Sequence, residues 1–274
     1  MLLTVDVGNT QTTLGLFGEG DTALRQWRMA TDHTDTADEL HERLFGYFQM
    51  FGLDLADVDA VAIASVVPIL SQEWQLMMRT VLAREPLMVD ATRDCGIEVG
   101  MPDPHQVGAD RIANAVAARE TYGSPVIVVD FGTATNIDVV DASGTFRGGA
   151  IMPGVLLSAS SLFSKAAKLS SVPLVVPAHA LGDTTESAVQ SGIVIGAAAQ
   201  AEGIVSRIVD ELAGEQDAAG DVARRPKVVA TGGLANVVAR ATDLFDEIDP
   251  DLTIRGIRQI WMHRESKRRS QERD

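Results

Sequence analysis

The stretch that decides the fold is PVIVVDFGTATNIDVVDASGTFRGGAIMPG, which occupies residues 125–154. It opens with four consecutive β-branched residues, Val126–Val129, and such a run is typical of a strand that is covered on both faces. The apolar pattern resumes at Ile137–Val140 and again at Thr145–Ile151, after a turn of small and polar residues. The stretch therefore predicts three successive strands, with a polar turn between the first two.

The turn after the first strand has the chemistry of a phosphate-binding site. The strand delivers Asp130 to its carboxyl end, and Gly132 has no side chain, so backbone N–H groups there can approach an anion. The hydroxyl groups of Thr133 and Thr135 and the amide of Asn136 add further donors. We therefore predict that this turn binds the phosphates of a ligand.

The amino terminus contains the same order 124 residues earlier. An apolar strand over Leu2–Val5 leads to Asp6–Thr10, whose sequence DVGNT resembles DFGTA, and strands over Thr12–Phe17 and Leu24–Met29 follow. Each copy runs from strand through turn to strand, which differs from the glycine-rich turn before a helix in P-loop and dinucleotide folds. Two such halves that face one another would hold the phosphates of a nucleotide between them.

The rest of the chain is predicted to alternate helices and strands around these repeats. Helices are expected at 36–51, 69–83, 109–122, 155–168, 186–212, 234–241 and 252–265, and further strands at 58–64, 86–89 and 226–230. Thr184 is predicted to cap the helix that begins at 186. Ala213–Arg225 is expected to be an exposed loop, and the chain from Lys267 onward a mobile tail.

The composition limits the class of protein. A net charge of −15 argues against nucleic acid as a partner, because a phosphate backbone needs a basic surface. Cys95 is the single cysteine and cannot form an internal disulfide, and the amino terminus lacks the pattern of a signal peptide. No apolar run reaches the roughly 20 residues of a membrane helix, since the nearest, Gly192–Val209, contains charged residues. We expect a soluble, cytoplasmic protein with no membrane partner.

Five motifs, taken together in this order and spacing, resemble those of the type III pantothenate kinases. They are DVGNT at 6–10, GADR at 108–111, DFGTATNID at 130–138, GGAIMPG at 148–154 and TGG at 231–233. These kinases belong to the superfamily of acetate and sugar kinases, heat-shock proteins and actin. The resemblance covers nearly the whole chain. It implies ATP-dependent phosphorylation of pantothenate to 4'-phosphopantothenate, the first step of coenzyme A biosynthesis.

The resemblance and the internal repeat imply an α/β protein with two ribonuclease-H-like domains, the actin-like ATPase fold, and with the nucleotide between them. We expect an N-terminal domain over residues 1–115, which carries the first phosphate motif and GADR. A C-terminal domain over residues 116–262 would carry the second phosphate motif and the turn against adenosine. Residues 263–274 would form a basic tail.

The resemblance also implies roles for individual residues. Asp110 is expected to be the catalytic base that accepts the proton from the primary hydroxyl group of pantothenate. Thr185 would reach the pantothenate site of the other subunit of a homodimer. The substrate-binding residues would be Gly108, Ala109, Asp110, Arg111 and Thr185. The nucleotide-binding residues would be Asp6, Val7, Gly8, Asn9, Thr10, Gln11, Thr12, Thr13, Thr133, Gly232 and Gly233.

Carboxylates beside phosphates imply cations, because each carboxylate would otherwise repel its ligand. We expect Mg²⁺ at Asp6 and, from the resemblance, K⁺ or NH₄⁺ at Asp130. Two positions depart from the family pattern, since Met101 stands where Tyr is common and Asn136 where Thr is common. Neither departure removes a charged group, so they bear on substrate affinity more than on reaction type.

Two other functions are compatible with the same phosphate turns. A regulatory protein, similar to an accessory factor of a bacterial virulence regulator or to sugar-sensing repressors, is one of them, although the sequence shows neither a helix-turn-helix module nor a basic face. An actin-like or chaperone ATPase would transfer the phosphoryl group to water, but such proteins are usually longer. A turnover assay with and without pantothenate separates the three functions.

Overall fold

The computed structural model describes residues 1–20, 22–166, 171–219 and 224–272. The chain divides into two compact units. Unit 1 contains Met1–Ala117 and Leu252–Asp274, and unit 2 contains Ala118–Asp251. The two repeats predicted from the sequence therefore lie in different units.

The elements alternate much as the sequence predicts. The strands are β1 (Leu2–Val7), β2 (Gln11–Phe17), β3 (Arg25–Ala30), β4 (Ala60–Ser65), β5 (Leu87–Met88), β6 (Glu98–Val99), β7 (Val126–Phe131), β8 (Ala134–Val140), β9 (Thr145–Pro153), β10 (Lys227–Thr231) and β11 (Glu247–Ile248). The α-helices are α1 (Ala37–Met50), α2 (Pro68–Val81), α3 (Ala109–Tyr122), α4 (Val155–Lys165), α5 (Thr185–Gln190), α6 (Gly196–Ala219), α7 (Ala235–Val238) and α8 (Leu252–Gln271). A π-helical turn, Ser191–Ile195, joins α5 to α6.

Unit 1 is built on a five-stranded sheet with the order β3-β2-β1-β4-β5. The hairpin β1-β2-β3 is antiparallel, and β4 and β5 are added parallel to β1. The side chains of β1 and β4 are buried along almost the whole of both strands, because helices cover both faces of a sheet with parallel crossovers. This order is the ribonuclease-H-like topology that the sequence predicts.

The helices of unit 1 begin where local signals place them. Thr36 caps α1 in a capping box with Glu39, each side chain bonding the backbone N–H of the other residue. Pro68 begins α2, where its missing N–H costs no hydrogen bond. The apolar stripe Leu40, Leu44 and Phe48 of α1 is fully buried in the core of this unit.

Helix α8 packs on β1 and β4 of unit 1, although the sequence suggests a C-terminal domain that extends to residue 262. The reason is a continuous apolar face, in which Ile254 lies against Gly15 of β2. Gly256 permits close contact with α3, since a Cβ there would lie 1.9 Å from the carbonyl oxygen of Ala113. α8 continues to Gln271, so the predicted helix end near residue 265 is wrong, while the mobility of the exposed segment from Lys267 stays a prediction.

The strands of unit 2 repeat the topology of unit 1. Their order is β9-β8-β7-β10-β11, with an antiparallel hairpin over β7, β8 and β9 and with β10 and β11 parallel to β7. β7 is buried along nearly its whole length, as its β-branched sequence predicts. The core of this unit joins these strands to α6 through side chains such as Ala198, Ala201 and Val205.

The long helical stretch that starts at α5 differs from its prediction at both its middle and its end. The π-helical turn interrupts it, and α6 continues to Ala219, so the loop predicted from Ala213 is wrong for 213–219. Alanine, glutamate and glutamine in that segment are strong helix formers, and Arg147 forms an ion pair with Glu215. Residues 220–223 of the predicted loop lie outside the described residues, as do 167–168 of the helix predicted over 155–168.

By length and composition, the stretch Thr185–Gln216 is apolar enough to cross a membrane, which the sequence analysis did not predict. A single stretch of this kind is weak support for a membrane span, because the core helices of soluble proteins satisfy the same criteria. Here the stretch contributes Ala198, Ala201 and Val205 to the core of unit 2. It also carries charged residues such as Glu202 and Arg207 along its length.

Candidate active site

The first phosphate turn lies between β1 and β2 in unit 1. β1 ends at Val7 and β2 begins at Gln11, so the three residues Gly8, Asn9 and Thr10 form the turn. The N–H of Gly8 donates to the carbonyl oxygen of Gln11 at 3.1 Å. A Cβ on Gly8 would lie only 2.9 Å from that same oxygen, so a larger residue would force the turn open. The glycine of DVGNT is therefore required by the shape of the turn.

The segment after β3 covers one side of this turn. The N–H of Thr31 donates to the carbonyl oxygen of Thr10 at 3.0 Å, and the ring of His33 donates through Nε2 to the carbonyl oxygen of Asn9 at 3.0 Å. The hydroxyl groups of Thr31 and Thr12 share a hydrogen bond of 2.9 Å, and Thr12 is buried. Asn9, Thr10 and Gln11 are exposed, so the turn presents them to solvent while Thr12 supports it from within.

The second phosphate turn lies between β7 and β8 in unit 2. Asp130 pairs with Asn136 in this hairpin, as Asp6 pairs with Thr13 in the first. Here two residues, Gly132 and Thr133, separate the strands, so the second turn is one residue shorter than the first. The repeat offset is thus 124 residues before the turn and 123 after it. The N–H of Gly132 donates to the carbonyl oxygen of Ala134 at 3.0 Å.

Two glycines from other motifs lie directly against the second turn. Gly154, which ends GGAIMPG, is so close that a Cβ on it would lie 2.1 Å from the carbonyl oxygen of Thr133. Gly232 of TGG has a φ of +91°, and a Cβ there would lie 2.4 Å from Oδ1 of Asp130. Gly233, its neighbour, has open space around it. Three sequence motifs therefore meet at one end of the sheet of unit 2.

Asp110 lies in the first turn of α3, next to the glycine that precedes the helix. Its Oδ1 accepts a hydrogen bond of 2.8 Å from the N–H of Arg111, and a Cβ on Gly108 would lie 2.5 Å from that oxygen. Burial raises the pKa of the Asp110 carboxyl above its ordinary value, although the N–H and the guanidinium of Arg111 act against this rise. Asp110 is therefore a stronger base than a surface aspartate. Arg111 beside it is buried.

Thr184 and Thr185 begin α5 in unit 2. Thr184 caps the helix as predicted, in a reciprocal pair of hydrogen bonds with Ser187. Thr185 is the first helical residue, and its side chain is exposed. Gly182 lies against the start of the helix, since a Cβ on it would lie 2.3 Å from the N–H nitrogen of Ala188. Within this single chain, Thr185 and the GADR segment belong to different units.

The family model described as type III pantothenate kinase matches residues 2–207. This chain belongs to the type III pantothenate kinase family. Relatives of that name from Roseiflexus sp. (strain RS-1) and Thermomicrobium roseum are each 42% identical to it, with alignments that cover 95% and 96% of this chain and 98% of each relative. A third relative, from Streptomyces griseus subsp. griseus, is 43% identical over 95% of this chain and 97% of its own length.

Solved structures support the fold of this family member. A Baf family protein from Campylobacter jejuni superposes with a TM-score of 0.58 at 17% identity, covering 96% of this chain and 99% of that chain. The activator of 2-hydroxyisocaproyl-CoA dehydratase from Clostridium difficile, solved with bound ADPNP, gives a TM-score of 0.50 at 12% identity, covering 99% and 97%. At these identities the likeness concerns the fold alone. It confirms the actin-like ATPase fold that the motifs predict.

The donor groups at the two turns fit the cations that the kinase family implies. Within 1–20, 22–166, 171–219 and 224–272, no three His, Cys, Asp or Glu side chains come together as a metal cage. The carboxylate of Asp6 suits Mg²⁺, which proteins usually bind through one or two carboxylates together with substrate phosphates and several waters. At the second turn, the carbonyl oxygens of Thr133 and Gly132 lie 2.1 and 2.6 Å from where a Cβ on Gly154 would be, and carbonyl oxygens are ligands that K⁺ accepts.

The sequence analysis identified the motifs at both turns but missed the residues that contact these turns and fix their shape. Thr31 and His33 carry no motif, and GGAIMPG gave no role for Gly154. The strand register supplies the missing signal: Ala30 pairs with Gln11 in one hairpin, and Pro153 pairs with Ala134 in the other. The residue after the third strand therefore lies beside the phosphate turn in both units.

Proposed function

We propose that this protein transfers the γ-phosphoryl group of ATP to the primary hydroxyl group of pantothenate, forming 4'-phosphopantothenate and ADP. The observation that carries the proposal is that each unit has a glycine-containing turn after an equivalent strand, and that unit 1 also has an aspartate, Asp110, whose pKa is raised by burial. Membership of the type III pantothenate kinase family supplies the acceptor. The reaction would be the first step of coenzyme A biosynthesis, in the cytoplasm.

The residues of the two turns would bind the phosphates of ATP. Backbone N–H groups and the side chains of exposed residues such as Asn9, Thr10 and Thr133 donate to phosphate oxygens, which holds the γ-phosphorus in line with its acceptor. Gly232 and Gly233 would lie against adenosine. Phosphoryl transfer has a loose transition state with little covalent chemistry for the protein, so positioning and charge neutralisation account for most of the catalysis.

Asp110 would accept the proton of the pantothenate hydroxyl as its oxygen forms the new bond to the γ-phosphorus and the bond to ADP breaks. A base whose pKa is raised toward the working pH holds that proton better than an ordinary aspartate. Arg111 would bind polar groups of pantothenate, together with Gly108 and Ala109. The substrate is an anion and the chain carries a net charge of −15, so a local cation is needed to attract it.

Asp6 would hold Mg²⁺, and Asp130 would hold K⁺ or NH₄⁺. When bound, these ions neutralise the negative charge of the phosphates. The carboxylates keep the ions at the turns, and Gly232 leaves room for the carboxylate of Asp130. Without a cation, each carboxylate would repel the nucleotide that the neighbouring amides attract.

The active unit would be a homodimer in which Thr185 contributes to the pantothenate site of the partner. Unit 2 exposes a group of large apolar side chains around α4 and the approach to α5, which a second copy would cover. These side chains are Ile151, Leu156, Leu157, Val175 and Leu181. The α4 helix packs beside the π-helical turn, and the most apolar window of Thr185–Gln216 is only 22% buried within the chain.

A mixture of two inactive variants tests the shared site. If Thr185 acts in the partner's site, one of the two sites in a mixed dimer of Asp110→Asn and Thr185→Ala carries neither change. Co-refolding the two variants should then restore activity that neither has alone. Mixed dimers without any recovered activity would refute the shared site, and so would full activity in a chain that sedimentation shows to be a monomer.

The function itself is tested by turnover with ATP in the presence and absence of pantothenate, with the product identified by mass spectrometry. We expect 4'-phosphopantothenate and ADP in equal amounts, and little ADP without pantothenate. Equal ADP release under both conditions would favour an ATPase of the same fold. No turnover from a folded, ATP-binding protein would favour a regulatory role.

A further inference from the structure

The segment after β3 is bonded to the first phosphate turn at two successive peptide groups. The N–H of Thr31 holds the carbonyl oxygen of Thr10, and Nε2 of His33 holds the carbonyl oxygen of Asn9, both at 3.0 Å. The His33 side chain is exposed, so it contributes little to the core. A carbonyl oxygen only accepts hydrogen bonds, so the ring must carry its proton on Nε2 in this contact.

The segment that carries His33 is itself firmly held. Oδ1 of Asp32 accepts from the N–H of Thr34 at 3.0 Å and from its hydroxyl at 2.7 Å, which fixes the turn on either side of His33. Asp35 is buried and forms a two-pronged ion pair with Arg43 of α1, at 2.6 and 2.7 Å. The backbone before and after His33 is therefore fixed, so its ring can act as a hydrogen-bond donor in a fixed position.

The geometry of the peptide group links this contact to the ligand side of the turn. A trans peptide is planar, and its C=O and N–H point in opposite directions. The carbonyl group of Asn9 and the N–H of Thr10 belong to one peptide, so a donor on the carbonyl side directs the N–H away from His33. Thr31 acts in the same way on the next peptide, whose N–H belongs to Gln11. The N–H of Thr10 belongs to the turn that the proposed function assigns to phosphate, and the N–H of Gln11 belongs to the first residue of β2 after it.

We propose that His33 is a positioning residue for ATP: its ring fixes the Asn9–Thr10 peptide so that the N–H of Thr10 is directed to a phosphate oxygen. This inference rests on the proposed function, because it needs a nucleotide phosphate at the first turn. His33 acts through the backbone and needs no contact with the substrate. Its loss should therefore change the binding of ATP and leave the binding of pantothenate as it is.

The test compares four variants, His33→Phe, His33→Ala, His33→Gln and the control His41→Ala. Phenylalanine keeps the ring but has no donor, whereas glutamine places an amide N–H at a reach similar to that of Nε2. His41 lies on α1 and not in the segment bonded to the turn, and its ring packs on Phe45. The measurements are KM for ATP, KM for pantothenate, kcat, Tm, and direct titration of the protein with ATP and with adenosine.

We expect His33→Phe and His33→Ala to raise KM for ATP by about 3- to 10-fold, the effect of one net hydrogen bond. KM for pantothenate, adenosine affinity and Tm should stay at the parent values. His33→Gln should recover most of the affinity for ATP, and His41→Ala should behave like the parent. A loss of affinity for ATP with no loss of affinity for adenosine would not follow from a general destabilisation of the fold.

Three results would overturn the inference: an unchanged KM for ATP in His33→Phe, an equal loss of adenosine affinity, or no difference between the Gln and Phe variants. A failure of the proposed function is a separate result. It would appear as a parent protein that does not phosphorylate pantothenate, and the titrations with ATP and adenosine would still test His33.

Discussion

The two phosphate turns follow equivalent strands of equivalent sheets, yet the chain holds them in shape by different means. At the first turn, hydrogen bonds from Thr31 and His33 fix the carbonyl groups. At the second, Gly154 and Gly232 lie so close that no Cβ fits between them and the turn. Water can replace part of a lost hydrogen bond, whereas a side chain placed within 2.5 Å of an oxygen must displace the backbone. The second turn should therefore be the more sensitive to substitution.

The units also differ in what accompanies each turn. Unit 1 carries Asp110, whose pKa is raised by burial, and unit 2 carries the Thr-Gly-Gly segment and Thr185. Under the proposed function, the repeated fold would supply two similar phosphate-binding turns, and residues outside the repeat would supply the proton acceptor and the contacts to pantothenate. Substitutions in the two turns should then weaken the binding of ATP. Substitutions of Asp110 or Thr185 should instead change proton transfer or the binding of pantothenate.

The proposed proton acceptor, Asp110, lies in unit 1, and Asp110→Asn tests its role most directly. We expect kcat to fall by about 10²–10⁴-fold, since a general base typically contributes that much, while ATP binding stays near the parent value. Asparagine keeps the oxygen that accepts from Arg111, so the fold is preserved. Asp57 is exposed, and Asp57→Asn is the control for the loss of one negative charge. Activity within about threefold of the parent would exclude Asp110 as the base.

The proposed function gives each turn its own cation, and Asp6→Ala and Asp130→Ala test the two cation sites separately. Each change should lower turnover by about 10²–10³-fold, the usual cost of losing one electrostatic contact in a transition state. The remaining activity of the Asp6 variant should depend on Mg²⁺ in an altered way, and that of the Asp130 variant on K⁺. Titrating both ions against both variants is the measurement. Identical ion dependence in the two variants and the parent would remove the distinction between the turns.

The glycines of TGG offer a matched pair that tests the close packing at the second turn. Gly232→Ala places a methyl group 2.4 Å from Asp130 in a backbone region with positive φ, whereas Gly233→Ala enters open space. We expect kcat/KM for ATP to fall roughly 5- to 150-fold for the first, matching the ~1–3 kcal/mol of a strained residue. The second should stay close to the parent. An equal kcat/KM for ATP in the two variants would mean that the second turn tolerates a displacement of the Asp130 carboxylate.

The parts of the fold that sequence patterns predicted are those set by local residues. The β-branched run at Val126–Val129 and the cap at Thr36 each determine an element without reference to distant contacts, and the repeat then gives the topology of both sheets. The missed features depend on tertiary contacts. The one-residue difference between the turns is a matter of strand register, and α8 joins unit 1 because Gly256 fits against Ala113. Likewise, the roles of Asp6 and Asp130 as cation ligands stay predictions.

The smallest expected effect concerns stability, and it follows from the burial that raises the pKa of the Asp110 carboxyl. Because its pKa is higher in the folded chain than in the unfolded one, the folded state keeps the proton in the pH range between the two values. Stability from this group is therefore full below the unfolded pKa, near 3.9, and falls as pH rises through the folded pKa. Asparagine does not ionise and avoids that loss. We expect Asp110→Asn to raise Tm at pH 7 relative to the parent, and Asp57→Asn to leave it unchanged. The gain in Tm should vanish near pH 3.5. If the variant instead has a lower Tm than the parent at neutral pH, the ionised carboxylate stabilises the fold, contrary to this prediction.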